Sequence, residues 1–385
     1  MELTVTEKGY KEFAEIIRAE AHGGKVLLLS EESRAGEDLA AALALSGLKI
    51  ARQKATDALL TDYMVLSRSE LPEGIMAVVG AGGAAAVEGA KGIRSPHSVP
   101  RLLVPLDLSA LCALDERAFF GTKGDIATFV SPDARVLFDP SILSVSKGIR
   151  EGVGFLLAFW VEGFDDAYEA LLLHGKCPAG ALSSLKKAAA RLAEISESEA
   201  ASGICNTILS WAREDGFFSS SRAQSAHVLA MLAAKASEGN PLDFLFPASY
   251  ALLRLYSRYL SDLPLEHAAP PDRARNVELL EKRCGVTPSP LLSRMTAYAD
   301  DYDDRFRLTA EYREDFREVL EESVLPLSYL SRLYRRAPKR EEESPMPTSA
   351  ALLSLLSLTG EAVSGYPLIK HIKTTGLLEP LLVAS

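Results

Sequence analysis

The residues with the clearest chemical potential are VVGAGGAAAVEGAK at 78–91, where an apolar run meets glycines and continues into an alanine-rich stretch. A strand that enters a helix through glycines exposes backbone N–H groups and the positive end of the helix dipole. Small side chains there also let a diphosphate approach the backbone. The same glycines equally serve a strand and helix that pack closely, so the turn alone leaves both readings open. His227, in SRAQSAH at 221–227, stands at helical spacing, where a histidine satisfied by a neighbour is the ordinary arrangement. His174, before Gly175, reads as a helix C-terminus with the imidazole on the negative end of the dipole.

Other reactive residue types are less organised. Cys112, Cys177, Cys205 and Cys284 are scattered with no C-x-x-C pair, which argues against a disulfide framework or a cysteine zinc site. Asp165 and Asp166, and Asp300, Asp301, Asp303 and Asp304, lack the spacing and glycine of a calcium loop and read as solvated helix ends. Ser219, Ser220 and Ser221 read as a loop leading into a helix, and no serine sits in a nucleophile elbow.

The elements that must position these groups fall into two kinds. Helical spacing over 8–22 precedes a continuously apolar run at 25–30, as expected of a parallel strand buried on both faces. A helix at 36–45 and strands at 47–51, 75–79 and 101–105 follow, with the glycine turn and its helix after the strand at 75–79. Residues 118–137 read as a hairpin, and 136–140 as a last strand. Beyond about residue 145 the period is helical, with helices expected at 147–162, 164–174, 180–195, 199–214, 222–237 and 243–261. More are expected at 274–283, 287–298, 307–321, 323–335, 349–363 and 367–382, with a linker near 337–348. The expected fold is therefore α/β plus all-α: a Rossmann-like parallel-sheet domain over 1–146 and a helical domain over 147–385. A small-molecule ligand is expected in the cleft between them.

Bulk properties agree with this outline. A chain of 385 residues exceeds one hydrophobic core, and 48% hydrophobic with 24% charged residues is ordinary for a globular protein. A net charge of −10 argues against nucleic-acid and anionic-membrane partners. The basic run from Arg332 to Arg340 leads into three glutamates and reads as a solvated linker. The first residues, MELTVTEKGYKEF, carry no leader pattern, and the most apolar stretch, 153–161, is too short to span a bilayer. A cytoplasmic protein is expected.

The order of strand 25–30, the glycine turn, strand 101–105, the hairpin, LFDP at 137–140 and a helical block resembles the dehydroquinate synthase-like superfamily. That group includes the iron-containing alcohol dehydrogenases, and glycerol-1-phosphate dehydrogenase looks most similar. The resemblance runs from about 25 to 260. It implies an NAD(P) cofactor held by Gly80, Gly82, Gly83 and Ala84, with Glu31 near the adenosine ribose and Asp107 facing the nucleotide. Glu31 read without the family frame is a helix-start acid. Departures are plain: in the G-G-G-S-x-x-D-x-A-K pattern Ala85 replaces serine and Glu88 replaces aspartate. In the P-T-T-x-S-T-D segment Leu106 and Asp107 replace threonines and Leu111 replaces the substrate-facing aspartate.

The resemblance also implies one divalent metal held by an aspartate and two histidines, polarising a substrate hydroxyl while a hydride passes to nicotinamide. The aspartate position is Phe155, the first histidine is His227 and the second falls on Asp243. A phenyl ring ligates nothing, so a metal is not expected. His227 and Asp243 remain as candidate acid/base residues. The leading expectation is a divergent, ligand-binding or regulatory member without metal-dependent dehydrogenase activity. The alternative is an NAD(P)-dependent oxidoreductase of a small polyol or polyol phosphate with a rearranged site. The frame also allows a homodimer.

Overall fold

The computed structural model describes residues 2–55, 71–93, 99–115, 117–122, 125–130, 134–143, 148–214, 224–237, 239–261, 302–338, 349–363 and 365–383. Its first part alternates β1 (Glu2–Val5), α1 (Tyr10–Glu20), β2 (Lys25–Ser30), α2 (Arg34–Leu45), β3 (Lys49–Lys54), β4 (Ile75–Gly82), α3 (Ala84–Gly92) and β5 (Arg101–Pro105). A 3-10 turn (Leu108–Leu114), the strands β6 (Arg117–Thr122), β7 (Asp125–Val130) and β8 (Ala134–Phe138), and the short α4 (Pro140–Leu143) follow. Six strands form one parallel sheet in the order β1-β8-β5-β4-β2-β3, and β6 pairs with β7 as an antiparallel hairpin. Parallel sheet, hairpin and helical remainder all follow the sequence pattern. β1 does not: four mostly half-exposed residues at a sheet edge carry no apolar run to mark them.

β4 explains how the glycine turn is placed. Along it Ala77, Val79 and Ala81 join a core with Val26, Leu28, Val104 and Leu137, covered by Phe13 and Ile17 of α1 and Leu39 and Leu43 of α2. Each of the larger side chains among them contributes about 1.5–3 kcal/mol on burial. Successive residues of a strand point to opposite faces, so Gly80 faces the other way. A Cβ there would lie 2.5 Å from Ala90 Cβ and 2.7 Å from the Ala86 carbonyl oxygen. Only glycine lets α3 approach β4 this closely.

The helical part comprises α5 (Ile149–His174), α6 (Ala179–Leu192), α7 (Ala200–Glu214), α8 (Ser225–Ala236), α9 (Pro241–Ser261), α10 (Tyr302–Glu311), α11 (Arg313–Arg336), α12 (Ser349–Ala362), α13 (Leu368–Thr374) and α14 (Leu378–Val383). The chain divides into two compact units, Met1–Gly152 with Ser196–Ser220, and Val153–Ile195 with Ser221–Ser385. The expected helices at 274–283 and 287–298 lie outside the described residues, as does most of the expected linker at 337–348. No helix among the described residues is long and apolar enough to cross a membrane.

Several boundaries differ from the pattern. The helices expected at 147–162 and 164–174 are one, α5, which passes straight through Gly163. Tyr312, rather than residue 322, separates α10 from α11, and α11 carries Pro326 inside it. Gly376, with a φ of +74°, ends α13 and splits the expected last helix in two. Arg335 and Arg336 belong to the last turn of α11, not to a linker; cations suit the negative end of a helix.

The continuity of α5 overturns one more expectation. Asp165 is not a solvated helix end but a fully buried residue in mid-helix. Its carboxyl accepts hydrogen bonds from the Ser225 hydroxyl, from the Tyr256 hydroxyl at 3.0 Å and from the Leu368 amide at 2.9 Å. One side chain thus ties α5 to α8, α9 and α13. Burial pushes its pKa from the ordinary 3.8 to about 8, against the three donors. An acid with a raised folded-state pKa contributes fully below its unfolded value and loses that contribution as pH climbs to the folded one. Wild-type stability should therefore fall relative to Asp165→Asn as pH rises from about 4 to 8, by about 1.4 kcal/mol per pH unit at most. Urea denaturation of both proteins across that range measures it; parallel pH profiles would refute the buried-acid assignment.

Candidate functional site

In the first unit the glycine turn is as the pattern requires: β4 ends at Gly82, Gly83 is the residue before α3, and α3 starts at Ala84. Gly82 has a φ of +147°, which side-chain-bearing residues rarely adopt. Gly83 has no side chain with which to cap the helix, and a residue from elsewhere in the unit does so. Ser109 Oγ accepts from the Ala84 amide at 3.1 Å. Asp107 Oδ1 in turn accepts from the Ser109 amide at 2.8 Å and from its hydroxyl at 2.5 Å, starting the 3-10 turn. Glu31 also reaches the turn, with Oε1 3.0 Å from the position that a Gly83 Cβ would take. Ser33, not Glu31, caps α2, accepting from the Gly36 amide at 3.1 Å.

The residues that depart from the family pattern are committed to structure. Leu106 belongs to the sheet core, and Leu111 is fully buried. Glu88 sits within α3 and pairs with Lys91 at 2.9 Å, while Lys91 Nζ donates to the Cys112 carbonyl at 2.6 Å. Burial opposes the charge of Lys91, but Glu88, Cys112 and Asp115 outweigh it, and the ammonium is held above its ordinary pKa. Cys112 and Cys205 are buried free thiols and Cys177 is a half-buried one, while Cys284 lies outside the described residues.

In the second unit, α5 carries Phe155, Phe159 and Glu162 on one face, at the four- and three-residue spacing that aligns side chains along a helix. His227, at the start of α8, packs on that face. Its ring centroid lies 5.9 Å from that of Phe155 and 6.0 Å from that of Phe159. Its Nδ1 is 2.8 Å from Glu162 Oε1, and the same oxygen accepts from the His227 amide at 3.2 Å. With Glu162 as a carboxylate, Nδ1 carries the ring proton. All four residues are buried.

Phe155 and His227, paired only through the family frame in sequence, are thus neighbours. Asp243 is in the first turn of α9, half-buried, with its carbonyl accepting from the Tyr334 hydroxyl at 3.4 Å. Sequence reasoning missed Glu162, though its position seven residues after Phe155 on an apolar helix was a usable signal. It missed Ser109 because no local pattern links a serine in one loop to a helix start in another. Around His227 the two phenyl rings offer a metal no donor, and Glu162 stands on its Nδ1. Among the described residues no group of three His, Cys, Asp or Glu side chains could hold a metal ion.

No family model and no curated protein matches the sequence. Solved structures do. An iron-containing alcohol dehydrogenase from Corynebacterium glutamicum superposes with a TM-score of 0.56 at 15% identity, over 100% of this chain and 94% of that one. The chain has the fold of the iron-containing alcohol dehydrogenases. An NADH-dependent butanol dehydrogenase from Thermotoga maritima shares it at a TM-score of 0.56 and 11% identity, over 98% and 96% of the two chains. A glycerol dehydrogenase from Schizosaccharomyces pombe gives 0.52 and 14%, over 90% and 95%. At 11–15% identity these likenesses concern the fold, over 90% or more of each chain.

If Phe155 is a packing residue, introducing the metal-ligating aspartate in its place removes a buried ring and buries a carboxyl. Phe155→Asp should cost at least about 3–5 kcal/mol in urea denaturation. An unchanged midpoint would show that the ring is dispensable.

Proposed function

We propose that this chain is a divergent member of the dehydroquinate synthase-like group that keeps the alcohol dehydrogenase fold without metal-dependent dehydrogenase activity, and serves as a ligand-binding or regulatory protein. One observation supports this reading: His227 is packed against the stacked rings of Phe155 and Phe159 with its Nδ1 on Glu162. Lewis-acid catalysis of hydride transfer needs several donors converging on one ion with a position left open for substrate. Here one retained imidazole is embedded in apolar surface. Leu111, where the resemblance implies a substrate-facing aspartate, is equally buried and apolar. The ligand that suits the reading is a small molecule recognised by packing and hydrogen bonds.

A second reading has one observation in its favour. Ligating histidines are usually held by a carboxylate on the other ring nitrogen, which is the relation of Glu162 to His227. On that reading His227 and Asp243 belong to a rearranged site of an NAD(P)-dependent polyol or polyol-phosphate oxidoreductase. Metal content separates the two. Protein purified without chelator should hold far less than one equivalent of zinc or iron, and added Zn²⁺ should leave the melting temperature unchanged. A stoichiometric metal that disappears in His227→Ala would establish the second reading instead.

A further inference from the structure

A glycine turn at a helix start ordinarily leaves backbone N–H groups open to an anion. In this chain the Ala84 amide already donates to Ser109 Oγ, and the Ser109 hydroxyl donates to Asp107. The space that a Gly83 side chain would take is bounded by three oxygens: Ser109 Oγ at 2.7 Å, and Asp107 Oδ2 and Glu31 Oε1 at 3.0 Å each. They come from two segments of one compact unit, Glu31 after β2 and Asp107 with Ser109 after β5, and converge on the same seat. The end of a helix offers an anion the equivalent of about half a positive charge. Asp107 and Glu31 set two acidic side chains beside that end, where an incoming anion would meet them.

We propose that Ser109, held by Asp107, is a built-in substitute for the anion, and that Asp107 and Glu31 close this turn to nucleotide diphosphates. The turn is kept for another reason, the close approach of α3 to β4 at Gly80. This inference goes beyond the metal question, because a chain can exclude diphosphates whatever its metal content, and its test uses no metal-dependent readout.

Titration calorimetry of the full-length protein with ADP, NADH and inorganic pyrophosphate, each with and without Mg²⁺, tests it. Wild type should give no saturable binding up to millimolar ligand in either arm. The double variant Glu31→Gln with Asp107→Asn, if its melting temperature is preserved, should bind ADP and pyrophosphate about tenfold more tightly or better. Micromolar binding by wild type, with or without Mg²⁺, would overturn the proposal, as would a folded double variant with no gain. Should that variant not fold, hydrogen exchange of the wild type gives the answer alone. Exchange in the peptide over 80–92 should be indifferent to millimolar pyrophosphate, and slowed exchange there would overturn the proposal.

Discussion

A carboxyl group sealed inside protein has to find donors, and α5 carries three buried ones, Glu162, Asp165 and Glu169, of which the first two stand one turn apart. The helix is apolar on nearly every side: Trp160, Phe164 and Tyr168 are among its fully buried residues. A helix of that kind is a core element, and each polar group on it fixes whatever supplies its partner. Asp165 draws in α8 through Ser225, α9 through Tyr256 and the start of α13 through the Leu368 amide. Glu162 draws in α8 again, through the backbone and ring of His227. Glu169 accepts from the Tyr366 amide at 3.1 Å, so the buried acids of α5 add directional ties to the apolar packing of the second unit.

The character of the candidate site follows from the same constraint. His227 packs against Phe155 and Phe159, and Glu162 is a polar group it meets. The first unit follows a parallel course by different means: Asp107, Ser109 and Glu31 converge where the fold exposes a helix start.

The fold was legible because its signals are local. The apolar runs at 25–30, 75–79 and 101–105 are what strands buried on both faces must be, and the helical period after residue 145 is unbroken over long stretches. What escaped depended on distant partners. Nothing near Asp165 in sequence announces that Ser225, Tyr256 and Leu368 will meet it, so a paired aspartate reads as a solvated helix end. Gly163 suggested a break because glycine weakens an isolated helix, whereas dense packing around α5 holds it through that position. The contact of Phe155 with His227 was accessible only through the family frame, because spacing alone cannot join residues so far apart. Glu162 was hidden because a glutamate in a helix is usually solvent-facing.

The Gly80 contact bears on how such proteins are recognised. The residue answers to two masters: a backbone that must lie against a helix, and, in nucleotide-binding proteins, a ligand that must come close. When the second demand lapses, the first still forbids any side chain, because an added methyl would strike both Ala90 and the Ala86 carbonyl. Such a signature can therefore outlast the ligand it once served. A pattern search that counts such glycines measures descent and packing, and only the groups lining the turn tell what, if anything, still docks there.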